Sequence, residues 1–206
     1  MAIISNAVTI ADAGAFSVGL GALTLIKTIT VSSGTGTVSF VHGTSSVVFD
    51  GTYPIYKFEF INIHPANDDI SFQFQGSIDA GSNYNVAITS THFRATHGED
   101  ASSEGLSYIT GGDLAQGTGF QQLAGSVGND ADQNLSGELF IYNPSSTTFV
   151  KHFTGNFQSI AHSNRTNNQY PAGYFNSTSD IDAVQFKFSG GNIDSGIIKL
   201  YGIKDS

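Results

Sequence analysis

Histidine is the residue type in this chain most suited to metal binding, and it occurs at positions 42, 64, 92, 97, 152 and 162. His92 and His97 are five residues apart, and Glu99 and Asp100 follow them closely. A metal site needs three or four converging ligands, and this spacing matches no zinc motif. The sequence therefore predicts surface or hydrogen-bonded histidines and no resident metal.

Carboxylates are the next candidates for chemistry, as cation ligands or as acid–base catalysts. The segment 129–132, Asn-Asp-Ala-Asp, offers oxygen ligands but lacks the glycine and final glutamate of a helix–loop–helix calcium site. The pairs at 68–69 and 99–100 are adjacent in sequence, so on a strand their members point to opposite faces. There is no Gly-x-Ser-x-Gly elbow and no phosphate-binding loop. We expect no catalytic residue, no cofactor and no enzyme, although two carboxylates from distant strands would still suit a glycosidase.

Aromatic side chains in polar segments suggest a different chemistry, the stacking of sugar rings on a β-sheet protein. Tyr84, Tyr170, Tyr174 and Phe120 lie in or beside such segments, while tryptophan, the ring best suited to sugars, is absent. These four are the candidate contacts for a glycan or a protein partner. The alternative is that they cover the core or pack at a subunit contact.

The elements that would position these side chains are β-strands. Glycine makes up 24 of 206 residues, charged residues only 12%, and Cys is absent, which favours short strands and turns without disulfides. Alternation of apolar and polar residues begins at Leu23 and recurs with turn-rich separators, which indicates an all-β, two-sheet antiparallel sandwich of jelly-roll type. The expected strands are 23–32, 37–42, 45–50, 55–63, 70–77, 84–91, 106–110, 136–142, 147–154, 158–162, 172–176, 182–188 and 197–203.

Two hairpins are predicted from this alternation. The strands 55–63 and 70–77 are separated by a turn that contains proline, and both carry alternate aromatic residues. The strands 182–188 and 197–203 flank a Gly-, Asn- and Ser-rich turn and close the domain. The polar stretches 92–107, 110–134 and 163–170 are predicted to be loops, and loops of such length are more often functional than idle.

The N-terminal segment Met1–Ala22 is predicted to be an extended or partly helical docking arm, and residues 23–206 the sandwich domain. Residues 13–26 are uncharged, but 14 residues are fewer than the roughly 20 that span a bilayer. No Lys or Arg precedes them, so a secretory signal is not indicated either. We expect no membrane insertion.

Three stretches resemble bacteriophage virion structural proteins, especially those of tailed phages of marine bacteria and cyanobacteria. They are Val47–Ala66, Ser136–Lys151 and Phe186–Ile203, which ends Ser-Gly-Ile-Ile-Lys-Leu-Tyr-Gly-Ile. In such proteins a tyrosine-bearing strand opens a jelly-roll-like sandwich, and a strand pair with a sequence similar to Phe186–Ile203 closes it. Their order and spacing agree here over about residues 23–203. The resemblance implies a particle protein of the kind found in tail fibres, head fibres and capsid decorations, and it implies no catalytic residues.

The function expected from the sequence is therefore a non-enzymatic component of a virion, displayed on its outside. The partners expected are other virion proteins and further copies of the chain, with a trimer as the favoured oligomer and a host surface glycan as a candidate ligand. The net charge of −9 and the lack of a basic cluster argue against nucleic acid. The alternative from a different class is a carbohydrate-binding or receptor-binding module of a phage tail.

Overall fold

The computed structural model describes residues 3–5, 8–12, 15–16 and 23–204. All regular elements in this part of the chain are β-strands, as the sequence predicts. It includes no helix long and apolar enough to cross a membrane. The strands are β1 (Ile3–Ser5), β2 (Val8–Asp12), β3 (Ala15–Phe16), β4 (Leu23–Val31), β5 (Val38–Val41), β6 (Ile55–Pro65), β7 (Ile70–Ser77), β8 (Ile88–Gly98), β9 (Gly105–Tyr108), β10 (Gln121–Val127), β11 (Leu135–Tyr142), β12 (Lys151–Ala161), β13 (Arg165–Phe175), β14 (Ala183–Phe188) and β15 (Ile193–Ile203).

The first three strands pair with one another in the order β1–β2–β3 and form a small antiparallel sheet. They fall inside the segment Met1–Ala22, for which the sequence predicts a docking arm. The remaining residues of that segment lie outside the described residues. The arm and the domain boundary after Ala22 therefore remain predictions.

The other twelve described strands form one antiparallel sheet that curls on itself like half of a barrel. Its large half has the strand order β9–β8–β13–β12–β11–β6–β15–β4, and its small half the order β10–β7–β14–β5. The two halves join where β10 meets the end of β12, with Val127 opposite Ala161. Because β12 pairs with β10 as well as with β11 and β13, it is the strand from which the small half departs.

The core fills the space enclosed by the curl and is built from aromatic rings. Phe58 and Phe60 of β6 point inward from the large half and are buried, as the alternation predicts. The small half supplies Phe72 of β7 and Phe186 of β14, and the rings of Phe60 and Phe186 are 5.0 Å apart, edge to face. These ring contacts close the curl, since they join strands that share no backbone hydrogen bonds.

Both predicted hairpins are wrong. β6 pairs with β11 and β15, whereas β7 pairs with β10 and β14, so these consecutive strands face each other across the core. In the same way β14 lies in the small half and β15 in the large half. Alternation shows which side chains point inward, but two strands that face each other across a core have the same alternation as two that are hydrogen-bonded.

The predicted loops are also partly wrong, because polar residues fill several strands. The stretch 92–107 contains most of β8 and the start of β9, and 110–134 contains β10. The third stretch, 163–170, runs into β13, where Asn167 and Gln169 are buried. Residues 45–50, expected to be a strand, contain a turn at 45–46 and irregular structure after it. The expected strands 147–154 and 158–162 are largely one strand, β12.

Buried glutamine amides hold the neighbouring loops and strands to the interior. The Gln75 Nε2 donates to the carbonyls of Val86 at 3.0 Å and Gly119 at 2.8 Å. The Gln121 Nε2 donates to the Gly112 carbonyl at 2.7 Å. A glutamine amide both donates and accepts, so it satisfies backbone groups that the curl leaves without strand partners.

Candidate functional site

The outer face of the large half is the side opposite the core, and it carries polar and aromatic side chains on each of four strands. Successive residues of a strand point to opposite faces, so this surface takes every second residue of four neighbouring strands. Its members are Thr89, Thr91, Phe93, Ala95 and His97 of β8, Thr166, Asn168, Tyr170, Ala172 and Tyr174 of β13, His152, Thr154, Asn156 and Gln158 of β12, and Ser136, Glu138, Phe140 and Tyr142 of β11.

Tyr170, a residue that the sequence singles out, stands near the middle of the outer face. It is opposite Phe93 in register, and the two rings stack with centroids 4.9 Å apart and planes 18° apart. The Tyr170 hydroxyl accepts a hydrogen bond of 2.5 Å from the Asn168 Nδ2. The stack and the hydrogen bond together restrain the ring of Tyr170.

A groove of about 360 Å³ crosses the strands of the outer face beside Tyr170. It runs from Glu59 of β6 past β11 and β12 to Asn168 of β13. Strands are about 4.8 Å apart, so three intervals give a length of about 14 Å. Its polar lining side chains are those of Glu59, Ser136, Glu138, Asn156, Gln158 and Asn168.

The carboxylates of the groove are held by one lysine. The Lys57 Nζ is 2.9 Å from an oxygen of Glu59 and 2.9 Å from an oxygen of Glu138. The hydrogen bond from Lys57 lowers the pKa of Glu59 below its usual range, although partial burial opposes this. Partial burial likewise disfavours the Lys57 ammonium, but its hydrogen bonds to Glu138 and Glu59 raise the Lys57 pKa overall. Glu59 is thus placed as a hydrogen-bond acceptor and not as a proton-donating acid.

Tyr174, the second tyrosine singled out, borders a separate hollow on the same face. Its ring meets the His152 ring edge to face at 6.0 Å, and Ala172 contributes to the floor. The neighbouring Gly173 is needed for close strand packing, since a Cβ there would lie 2.5 Å from the Thr89 carbonyl oxygen. Tyr170 and Tyr174 are therefore on one face, with Ala172 between them.

Phe120 and Tyr84 are not part of this face. The Lys187 Nζ of β14 lies 4.4 Å from the centre of the Phe120 ring, which places Phe120 against the small half. The Tyr84 hydroxyl covers Gly81, where an added Cβ would lie 2.8 Å from it. The structure thus brings together two of the four predicted contact residues, and the ligand role of all four remains a prediction.

The histidines and acidic segments considered for metals are dispersed. His92 points inward from β8 and is buried, whereas His97 points outward. In the segment 129–132, the Asp130 carbonyl accepts a turn hydrogen bond of 2.8 Å from the Gln133 N–H, and the Asn129 backbone N–H donates to the Asp68 carboxylate of the turn between β6 and β7 at 3.2 Å. Within residues 3–5, 8–12, 15–16 and 23–204, no three His, Cys, Asp or Glu side chains are grouped to hold a metal ion.

His92 makes stability depend on pH. Burial lowers its pKa from 6.5, although a hydrogen bond with the Gly112 carbonyl opposes the shift. A histidine whose pKa is lower in the folded chain than in the unfolded chain is neutral in both forms when the pH is above its pKa in the unfolded chain. As the pH falls below that pKa, the histidine binds a proton more readily in the unfolded chain, so protonation favours unfolding. We expect stability to fall between pH 7 and pH 5 by up to about 1.4 kcal/mol per pH unit. In His92→Gln, urea unfolding at the two pH values should show a smaller fall.

Sequence reasoning missed the groove. The groove is lined by Asn156 and Gln158 of β12 and by Asn168 of β13. Nothing in the sequence indicates that these three residues share a face. Only the register of β11, β12 and β13 brings them together, with Glu138 opposite Asn156 and Gln158 opposite Asn168. Comparisons with protein-family models, curated proteins and solved structures give no match.

Proposed function

We propose that the chain is a non-enzymatic structural protein of a bacteriophage particle, displayed on the outside as a fibre or capsid-decoration component. The observation that carries the proposal is the position of the three stretches that resemble such proteins. They include β6, β11 and the end of β14 with β15, and the strands β15, β6 and β11 are neighbours in the sheet. The resemblance therefore falls on one contiguous part of the molecule.

The curled sheet is, in this proposal, a jelly-roll-like sandwich whose two layers remain joined at one end. The contacts between the large and small halves support this description. The rings of Phe60 and Phe72 are 5.4 Å apart, and those of Phe74 and Phe153 are 5.0 Å apart. Side chains from facing sheets interdigitate in this way in β-sandwiches.

Assembly with further copies and with other virion proteins is the second part of the proposal, with a trimer as the favoured oligomer. The outer strand β9 supports it, because its apolar side chains are open to solvent. Leu106 is 73% exposed, Tyr108 is 51% exposed, and the neighbouring Phe93 is 42% exposed. An apolar edge of this kind favours association. The segment Met1–Ala22 is the other proposed contact.

The test is made on the particle. If the proposal holds, mass spectrometry of gradient-purified virions of the phage that encodes the chain detects it at a constant ratio to the major capsid protein. External display also predicts that protease treatment of intact virions releases its peptides, with the major capsid protein as an internal reference for particle integrity. Purified virions that lack the chain would overturn the proposal.

A further inference from the structure

We propose that the groove across β6, β11, β12 and β13 binds a neutral oligosaccharide. The inference does not depend on where the chain sits in a particle. The amide side chains of Asn156, Gln158 and Asn168 line the groove on adjacent strands. Tyr170 stands beside its β13 end, hydrogen-bonded to Asn168. Amides next to an aromatic ring match a sugar, which presents hydroxyls on its edges and C–H groups on its faces.

The hydrogen-bonding capacity of the groove fits hydroxyl groups. An amide carries two N–H donors and one carbonyl acceptor, and a sugar hydroxyl both donates and accepts, so an amide can pair with adjacent hydroxyls. Asn156 offers both kinds of group to a sugar. The Gln158 Nε2 already donates to Thr166 and to the Ser159 carbonyl, so Gln158 offers its carbonyl oxygen. Ser136 and the carboxylates of Glu59 and Glu138 add further partners on β11 and β6. The groove runs about 14 Å across the strands and is open along its length, which suits a short linear glycan.

The charge of the lining selects against acidic ligands. The charged side chains that line the groove, Glu59 and Glu138, are both carboxylates. The Lys57 ammonium that pairs with them offsets one of the two charges, so the carboxylates and Lys57 together keep a net negative charge. A uronate, a sialic acid or a phosphate in the groove would face like charge. The net charge of −9 on the whole chain acts in the same direction. The ligand is therefore a neutral sugar and not an acidic polysaccharide.

The groove is organised before a ligand arrives. Tyr170 is stacked on Phe93, and the Gln158 Nε2 donates to the Thr166 hydroxyl and, at 3.3 Å, to the Ser159 carbonyl. Lys57 fixes both carboxylates. Side chains that are already restrained lose little conformational entropy on binding, which favours affinity for a small polar ligand.

The experiment is a titration of the purified full chain with neutral gluco-, manno- and galacto-configured tetrasaccharides and with a uronate tetrasaccharide, followed by NMR up to about 10 mM ligand. We expect at least one neutral tetrasaccharide to bind and the uronate to bind at least about tenfold more weakly. The double variant Asn156→Ala/Gln158→Ala should weaken neutral-sugar binding by at least about tenfold. Both positions are on the exposed face, so the variant should keep its melting temperature.

The matched control is Gln185→Ala, an amide on β14 of the small half whose Nε2 donates to the Ser39 hydroxyl at 2.9 Å. It should bind sugar as the unaltered chain does. Three results would overturn the inference: no binding of any neutral tetrasaccharide, equal binding of the uronate, or unchanged binding in a folded Asn156→Ala/Gln158→Ala chain. Tyr170→Ala gives a second readout, because loss of the ring should weaken binding even if the amides are intact.

Discussion

Replacing Phe186 by alanine is expected to lower the free energy of unfolding by about 3–5 kcal/mol, a large part of the stability of a domain of this size. Phe186 lies on β14 and is fully buried. Its ring centroid is 5.0 to 6.3 Å from those of five other rings, namely Phe40, Phe58, Phe60, Phe72 and Phe74. Truncation removes the contacts of Phe186 with Phe58 and Phe60 of the large half and leaves a cavity that the rigid strands around it cannot close.

The measurement is equilibrium unfolding in urea of the unaltered chain and of Phe186→Ala. Phe149→Ala is the control, because it makes the same chemical change at a residue that is 70% exposed. The control should change stability by no more than about 0.5 kcal/mol. Equal effects of the two substitutions would contradict the packing of the small half on the large half through Phe186.

Gln169→Met is expected to destabilise the fold by about 2–4 kcal/mol, although it keeps the length of the side chain. The Gln169 amide accepts a hydrogen bond of 2.8 Å from the Gly125 N–H and donates one of 3.2 Å to the Gly125 carbonyl. It therefore links β13 to β10 near the point where the small half departs from β12. Methionine would leave both buried backbone groups of Gly125 without a partner, and each such loss costs about 1–3 kcal/mol.

The thermal and urea unfolding of Gln169→Met should be compared with that of Gln185→Met. Gln185 is a half-buried strand glutamine whose hydrogen bond to Ser39 is exposed to solvent. Water replaces that partner, so the control should lose less than about 1 kcal/mol. If the free energy of unfolding of Gln169→Met is close to that of Gln185→Met, the Gln169 amide does not hold β10 in place.

The sequence predicted the β class and the inward faces of the aromatic strands. In β6 and β14 aromatic residues alternate with charged or polar ones such as Lys57, Glu59 and Gln185. Alternation therefore identifies Phe58, Phe60 and Phe186 as core residues. It could not identify strand partners. Pairing depends on long-range register, and Phe60 and Phe72 have the same local pattern whether they are hairpin neighbours or face each other across the core.

β13 shows why the site was harder to predict. Its inward residues include Asn167 and Gln169, while its outward residues include Tyr170 and Tyr174. The buried side thus includes two amides and the exposed side two aromatic rings, against the usual pattern, because the buried amides replace missing strand hydrogen bonds. The sequence therefore predicts a polar loop over 163–170, in place of a strand that carries part of the groove.

Tyr170 and Tyr174 were predictable as contact candidates because aromatic residues in a polar segment are unusual. Their amide neighbours were not, since asparagine and glutamine are ordinary in a chain so rich in polar residues. The groove is a property of the sheet register and not of any one segment. No motif in β11, β12 or β13 alone indicates it.

Cryo-electron microscopy of the intact particle tests the central claim, external display of this sheet on a virion, most directly. We expect density on the outer surface that fits the curled sheet, with the face around Tyr170 and the groove turned toward solvent. The segment Met1–Ala22 and the β9 edge should contact neighbouring subunits. Density for the sheet inside the particle, or with the groove packed against another virion protein, would contradict the claim.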